Sequence, residues 1–267
     1  MLDLQTIIYF LALGSFVGVI SGLFGIGGGG IIVPVLTTIF LAHGISEQNV
    51  VHMALGTSMA IIIITSISSI KAQQKKKAIV WDVVKMMSPG IIIGTFLATF
   101  IASKLDSFYL SIIFAVFMFY SAIQMFIGKK PKPDSKVFSN KTHILSGGII
   151  GSLSSLVSIG GGILSVPYLL VQNIDIKKAI ATSSAIGLPI AISGTLGYII
   201  NGWANTSMDS YTLGFVNLPA FACVAVASFL TAPIGVMLVH KIDVNLMKKL
   251  FSLIPLILSI KMIYSLL

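Results

Sequence analysis

The chain has 267 residues, of which 56% are hydrophobic and only 9% charged, and its mean hydropathy is +1.01. A soluble domain carries about 25% charged residues, so composition argues against a soluble enzyme or binding module. The net charge of +9 comes from 17 basic residues, all Lys; they fall in short loops without aromatic interleaving, which argues against a nucleic-acid surface and fits the bias of basic loops toward the cytoplasm.

The predicted elements follow in chain order. Apolar runs cover 5–24, 30–42, 51–70, 83–102 and 107–127. A polar linker, 128–141, with Pro131 and Pro133, divides the chain. Further runs cover 143–158, 163–172, 178–200, 213–239 and 245–267. This gives a first transmembrane repeat over 1–127 and a second over 142–267. Most runs reach the roughly 17–25 residues that span a bilayer. The second run of each half does not, since about a dozen residues rise only about 18 Å. The first run has no basic n-region or cleavage site before it, so it is expected to be kept as a span. Cys223 is the single cysteine, which excludes an intrachain disulfide.

The two halves are copies of each other. Residues 18–34 read GVISGLFGIGGGGIIVP, and residues 151–167 read GSLSSLVSIGGGILSVP. They align without a gap. Gly27, Gly28 and Gly29 match Gly160, Gly161 and Gly162, and Pro34 matches Pro167. Ser158 and Ile163 stand where the first copy has Gly25 and Gly30. A second pair follows: Ala54-Leu-Gly-Thr57-Ser58 aligns with Ala179-Ile-Ala-Thr182-Ser183, and Ser184 extends the second hydroxyl run.

Lysine placement predicts orientation. All lysines but Lys104 and Lys261 fall in or beside four loops, at 71–85, 128–141, 177–178 and 241–249. With these loops cytoplasmic, both termini lie outside. The loop after the third run is basic in the first half and free of Lys in the second, so equivalent loops face opposite sides. That requires an odd number of crossings per repeat. The expected fold is an all-α polytopic membrane protein, an inverted-topology duplication of two five-segment repeats, with eight full spans and two short half-helices. A rival count treats the short helices as re-entrant and makes the halves parallel; the Lys pattern disfavours it.

Consecutive glycines inside an apolar stretch leave backbone N–H and C=O groups open. Such backbone is tolerated only where protein buries it or a polar cavity meets it. Each cluster precedes a short helix, so free N–H groups and the positive dipole end converge there, which suits an anion. Interrupted helices in matching positions of two halves point to a substrate site. The candidate backbone donors are Gly27, Gly28, Gly29 and Gly30 with Gly160, Gly161 and Gly162. The candidate hydroxyls are Thr57, Ser58, Thr182, Ser183 and Ser184. The bland readings stay open beside these: glycines for close helix packing, and hydroxyls bonded back to a helix carbonyl or across to a neighbour.

Other chemistry is thin. Every acid maps to a loop or a span end, so no intramembrane carboxylate relay or metal site is expected. His43, His52, His143 and His240 read as solvated or interfacial, with His52 a turn and a half before Thr57. The match of GIGGGG at 25–30 to G-x-G-x-x-G lacks a βαβ context, and GTSMA at 56–60 has no His–Asp pair to activate Ser58. No cofactor and no catalysis are expected.

GIGGGGIIVP with SIGGGILSVP, together with ALGTS and AIATS, resembles the TauE/SafE family of membrane proteins, the sulfite exporter family. The resemblance covers nearly the whole chain. It implies a secondary transporter of a small sulfur-containing or organic anion, such as sulfite or an organosulfonate, in a bacterial plasma membrane. Its partners would be that anion and membrane lipid, with no nucleic acid. A coupling ion, H⁺ or Na⁺, and homo-oligomerisation stay open, as do a different solute and a structural membrane role.

Overall fold

The computed structural model describes residues 3–127, 138–203 and 211–239, with Lys241, Ile257, Ile260, Lys261 and Tyr264. The first half contains α1 (Leu4–Phe24), α2 (Gly29–Ala42), α3 (Glu47–Gln74), α4 (Trp81–Ser103) and α5 (Ser107–Ile127). The second contains α6 (Asn140–Leu156), α7 (Gly162–Val171), α8 (Ile176–Gly202) and α9 (Leu218–Val239). The expected all-α, polytopic class holds. Among the described residues six helices are long and apolar enough to cross a membrane: α1, α3, α4, Ser107–Gln124 within α5, α8 and α9. Helices α2 and α7 are short, as their sequences predict. Helix α6 has 17 residues, about 25 Å at 1.5 Å per residue. Most of the run expected at 245–267 and most of the linker lie outside the described residues.

Helix ends follow local chemistry. Asp3 caps α1 by accepting from the Thr6 N–H at 3.0 Å, and hydrogen bonds from Thr6 hold its carboxyl below the usual carboxylate range. Ser46, Ser139 and Asp175 cap α3, α6 and α8 in the same way. One boundary differs from the sequence reading. The run predicted from 213 begins as a small hairpin, β1 (Thr212–Leu213) against β2 (Val216–Asn217), and the helix starts only at Leu218. Gly214, at φ +55°, makes the turn, and the Phe215 N–H donates to the Tyr198 carbonyl.

Each short helix folds back on its predecessor. Thr6 Oγ1 at the start of α1 lies 3.1 Å from His43 Nε2, just past the end of α2. Tyr168 Oη of α7 lies 2.9 Å from His143 Nδ1 of α6. Thus α1–α2 and α6–α7 are hairpins with the glycine clusters at their tips.

Close approach of small residues fixes the directions of the long helices. Met59 packs on Gly194 and Ser66 on Gly187, so α3 and α8 run antiparallel through the centre. Gly14, Gly18 and Gly22 of α1 meet Val224, Ser228 and Ala232 of α9, so these two run parallel. Gly90 and Gly94 of α4 meet Ile144 and Gly148 of α6, also parallel. The first helix of each repeat therefore packs on the fourth helix of the other. Helices α3 and α8 are the most buried, whereas α1, α4 and α9 turn Tyr9, Ile93, Leu97, Val226 and Leu230 outward. An apolar groove of about 500 Å³ between α4 and α8, lined by Ile92, Phe96, Leu97, Pro189, Ile192 and Leu196, belongs to this outer surface.

These directions gather the lysines. The C-terminal end of α3 (Lys71, Lys75, Lys76, Lys77) meets the N-terminal end of α8 (Lys177, Lys178). The starts of α4 and α6 bring Lys85 and Lys141 to the same end, and the end of α9 brings Lys241. Lys104, Asp3, Glu47 and Asp106 lie at the other end.

Candidate functional site

The two glycine clusters meet at the centre, backbone on backbone. The Gly160 N–H donates to the Ile26 carbonyl at 2.8 Å. A Cβ built on Gly27 would stand 3.0 Å from Gly160 Cα, and one on Gly160 would stand 3.0 Å from Gly27 Cα. A Cβ on Gly29 would overlap the Ser158 carbonyl oxygen, and one on Gly162 would stand 2.5 Å from the Gly25 carbonyl oxygen. Because Ser158 is the repeat equivalent of Gly25, the contact is reciprocal.

The breaks are made by left-handed backbone. Gly25, Gly27 and Gly28 have φ of 68°, 77° and 85°, and Gly161 has 84°. A residue with a Cβ rarely adopts these angles. Ser158 nevertheless keeps the conformation of Gly25, at φ 47°, and its hydroxyl donates to the Leu55 carbonyl at 3.1 Å. Gly28 and Gly161 are the N-caps of α2 and α7, and neither helix start carries a side-chain cap. The N-termini of both short helices thus point into one buried region, and Gly27 to Gly30 and Gly160 to Gly162 are all buried.

The candidate hydroxyls divide into two groups. Thr57 Oγ1 accepts from the Asn217 N–H at 2.9 Å, and Thr182 Oγ1 accepts from the Val80 N–H at 3.0 Å. Each threonine therefore holds the residue that precedes the fourth helix of the other repeat. Ser183 donates to the Ile180 carbonyl at 2.9 Å, with the Gly25 carbonyl at 3.3 Å, and Ser184 donates to Ile180 at 3.1 Å. Ser58 is different. It is fully buried, its Oγ has no partner, and it lies 3.3 Å from where a Gly29 Cβ would be. Ser165, one turn into α7, is likewise fully buried with an unpartnered Oγ. Sequence reasoning missed Ser165, although a hydroxyl one turn after the second glycine cluster was visible. Buried polar atoms are paired in the great majority of cases, so two unpartnered hydroxyls beside the glycine breaks are unusual.

The sulfite exporter TauE/SafE family profile matches residues 10–262. The chain belongs to the TauE/SafE family. A probable membrane transporter protein of Haemophilus influenzae is 36% identical over 253 residues, covering 94% of this chain and 96% of that one. One from Methanocaldococcus jannaschii is 32% identical over 238 residues, covering 87% of this chain and 86% of the other. Bacillus subtilis YunE, also a probable membrane transporter protein, is 25% identical over 221 residues.

In this TauE/SafE protein the break region offers hydrogen-bond donors and no full charge. The described acids sit at helix ends, and none lies at the crossing. Helix N-termini act as roughly half a positive charge each. His52, near the opposite end of α3 from the lysines, has Nε2 at 3.1 Å from the Ala102 carbonyl and stacks on Phe215. It belongs to that end, not to the crossing, and its Nδ1 has no partner.

Proposed function

We propose that the chain is a secondary transporter that moves a small sulfur-containing or organic anion, sulfite or an organosulfonate, across the plasma membrane by alternating access. The observation that carries this reading is the pair of unpartnered hydroxyls, Ser58 and Ser165, beside two facing helix N-termini in a core that holds no counter-charge among the described residues. Two such termini offer about one positive charge in total. Backbone N–H groups and hydroxyls hold an oxyanion firmly enough to select it and weakly enough to release it.

The inverted-topology reading, with repeats over 1–127 and 142–267 and eight spans plus two half-helices, draws support from the antiparallel course of α3 and α8. The folded-back α2 and α7 agree with it too. Five segments that alternate in direction leave each repeat on the side opposite its start. Gathering of the lysines at one end fits a cytoplasmic face there, with both termini outside. Single-cysteine labelling in a Cys223→Ser background tests this. Lys75→Cys is expected to react only from the cytoplasm and Lys104→Cys only from outside; reaction of both from one side would overturn the orientation.

The substrate is tested by thermal shift with sulfite, sulfate, thiosulfate, sulfoacetate, taurine and acetate, since a ligand of the native state raises apparent stability. A sulfonate is expected to bind about tenfold tighter than its neutral sulfonamide, the difference of about 1.4 kcal/mol between charge-assisted and neutral hydrogen bonds. Ser58→Ala is expected to leave melting unchanged and to weaken anion binding by about 1 kcal/mol or more. Equal affinity for sulfonate and sulfonamide would overturn the anion reading.

The backbone contact between the clusters supports a second role for the same glycines. They let the two breaks touch, so this form of the molecule is closed at its centre, and passage requires the hairpin tips to part.

A further inference from the structure

The crossing accounts for Ser58 and Ser165 but leaves a second set of buried polar groups unexplained. Ser58, Ile62, Ser66, Ser69 and Gln73 recur every three or four residues and form one stripe along α3. Ile62 touches Gly27 and Ser66 touches Gly187, so the stripe faces the crossing and then α8. Beyond Ser66 lie Ser69 and Gln73, 1% and 0% exposed. The Ser69 hydroxyl and both amide atoms of Gln73 have no protein partner. A buried carboxamide with neither donor nor acceptor satisfied is costly, and its retention points to water or a ligand. The antiparallel course of α3 and α8 sets this segment at the end that carries Lys71, Lys75, Lys177 and Lys178.

The other half of the molecule is built differently. In register with Thr57 and Thr182, the matching stripe on α8 is Ser183, Gly187, Ala191, Gly194 and Tyr198. Tyr198 is fully buried and donates to the Ser155 carbonyl at 2.9 Å, and Gly56 lies against Phe215. On the α8 stripe the equivalents of Ser69 and Gln73 are thus a glycine and a hydrogen-bonded tyrosine, although His52 Nδ1 in that half is unpartnered as well.

We propose that Ser66, Ser69 and Gln73 line a hydrated route from the lysine-bearing end to the crossing, and that Ser69 and Gln73 form a station on it for the oxygens of the transported anion. The station's role rests on the transport reading; the route does not. The Gln73 amide offers two N–H donors and Ser69 one O–H, which match the oxygens of a sulfite or sulfonate group. The lysines raise the local concentration of anions at the mouth, and the uncharged station passes them inward without trapping them.

The test uses the full chain with Cys223→Ser in proteoliposomes. Ser69→Cys and Gln73→Cys are treated with an anionic and a cationic methanethiosulfonate, with Lys75→Cys as the exposed reference and Tyr198→Cys as the buried, hydrogen-bonded counterpart of Gln73 on α8. Ser69→Cys and Gln73→Cys are expected to react, the anionic reagent about tenfold faster than the cationic one at a lysine-lined mouth, and Tyr198→Cys is expected to stay unmodified. Silence at both positions while Lys75→Cys reacts would overturn the route, as would a cationic preference. In parallel, Gln73→Glu is expected to raise the KM for sulfite about tenfold by placing like charge beside the anion, while Gln73→Asn retains the amide and much of the wild-type KM. An unchanged KM in Gln73→Glu would overturn the station. Failure of the wild type to transport sulfite or a sulfonate would instead overturn the substrate assignment and with it the station, while labelling still decides the route.

Discussion

Gly29→Ala and Gly162→Ala are each expected to cost roughly 3 kcal/mol or more, at or above the top of the range of about 1–3 kcal/mol for overpacking a core. A Cβ at Gly29 overlaps the Ser158 carbonyl, and one at Gly162 stands 2.5 Å from the Gly25 carbonyl. Neither obstacle is the movable end of a side chain. Both are backbone of the opposite break, held by the Gly160-to-Ile26 hydrogen bond and by the left-handed turns at Gly25 and Ser158. Relief therefore requires the two hairpins to separate. Gly44→Ala is the control. Gly44, unlike Gly29 and Gly162, has positive φ, 78°, but nothing lies within 4 Å of its added Cβ, so it carries a backbone penalty of about 1–2 kcal/mol and no steric one. Melting temperature and the monodisperse fraction in detergent measure the difference. Equal behaviour of Gly29→Ala and Gly44→Ala would mean that the breaks do not touch.

Thr57→Val and Thr182→Val are expected to destabilise by about 1–3 kcal/mol each, because each leaves a backbone N–H without its acceptor. The stranded groups are Asn217 N–H and Val80 N–H, at the entrances to α9 and α4. Sequence reasoning alone offers these hydroxyls as candidate ligand groups, with bonding to a neighbouring helix left open beside that role. The geometry decides between the two, since each hydroxyl already joins one repeat to the other. Thr57→Ser and Thr182→Ser retain the oxygen and lose only a methyl group, about 0.8 kcal/mol. The double valine variant is expected to be close to additive, because antiparallel packing sets the two sites in opposite halves of the molecule. Denaturation of the single and double variants measures this. Stability equal to wild type in both valine variants would show that neither contact matters.

These two pairs show how far the repeat could be read from the chain. The alignment of Gly27 to Gly29 with Gly160 to Gly162, and of Thr57-Ser58 with Thr182-Ser183, identified which positions are equivalent. It could not tell a ligand donor from a joint between repeats. Thr57 and Ser58 are neighbours of similar chemistry, yet one accepts from Asn217 and the other has no partner. Successive residues on a helix point about 100° apart, so what each one meets depends on which helix stands beside it. Ser158 illustrates the opposite case. It reads as a departure from the glycine pattern, but it keeps the left-handed backbone of Gly25 because its hydroxyl finds the Leu55 carbonyl.

Composition and run length determined the membrane class and the two short helices, because water and lipid act on each segment wherever its neighbours are; the aligned motifs determined the duplication. The glycine clusters likewise determined where the helices break, since backbone freedom is a local property. The tertiary structure alone decided that the breaks touch, that Thr57 and Thr182 lock the opposite repeat, and that Ser69 and Gln73 are buried without partners. Those outcomes follow from the antiparallel register of α3 on α8, which joins residues more than a hundred positions apart. Contacts of that range are set by side-chain shape across an interface and leave no periodic mark in either strand of sequence.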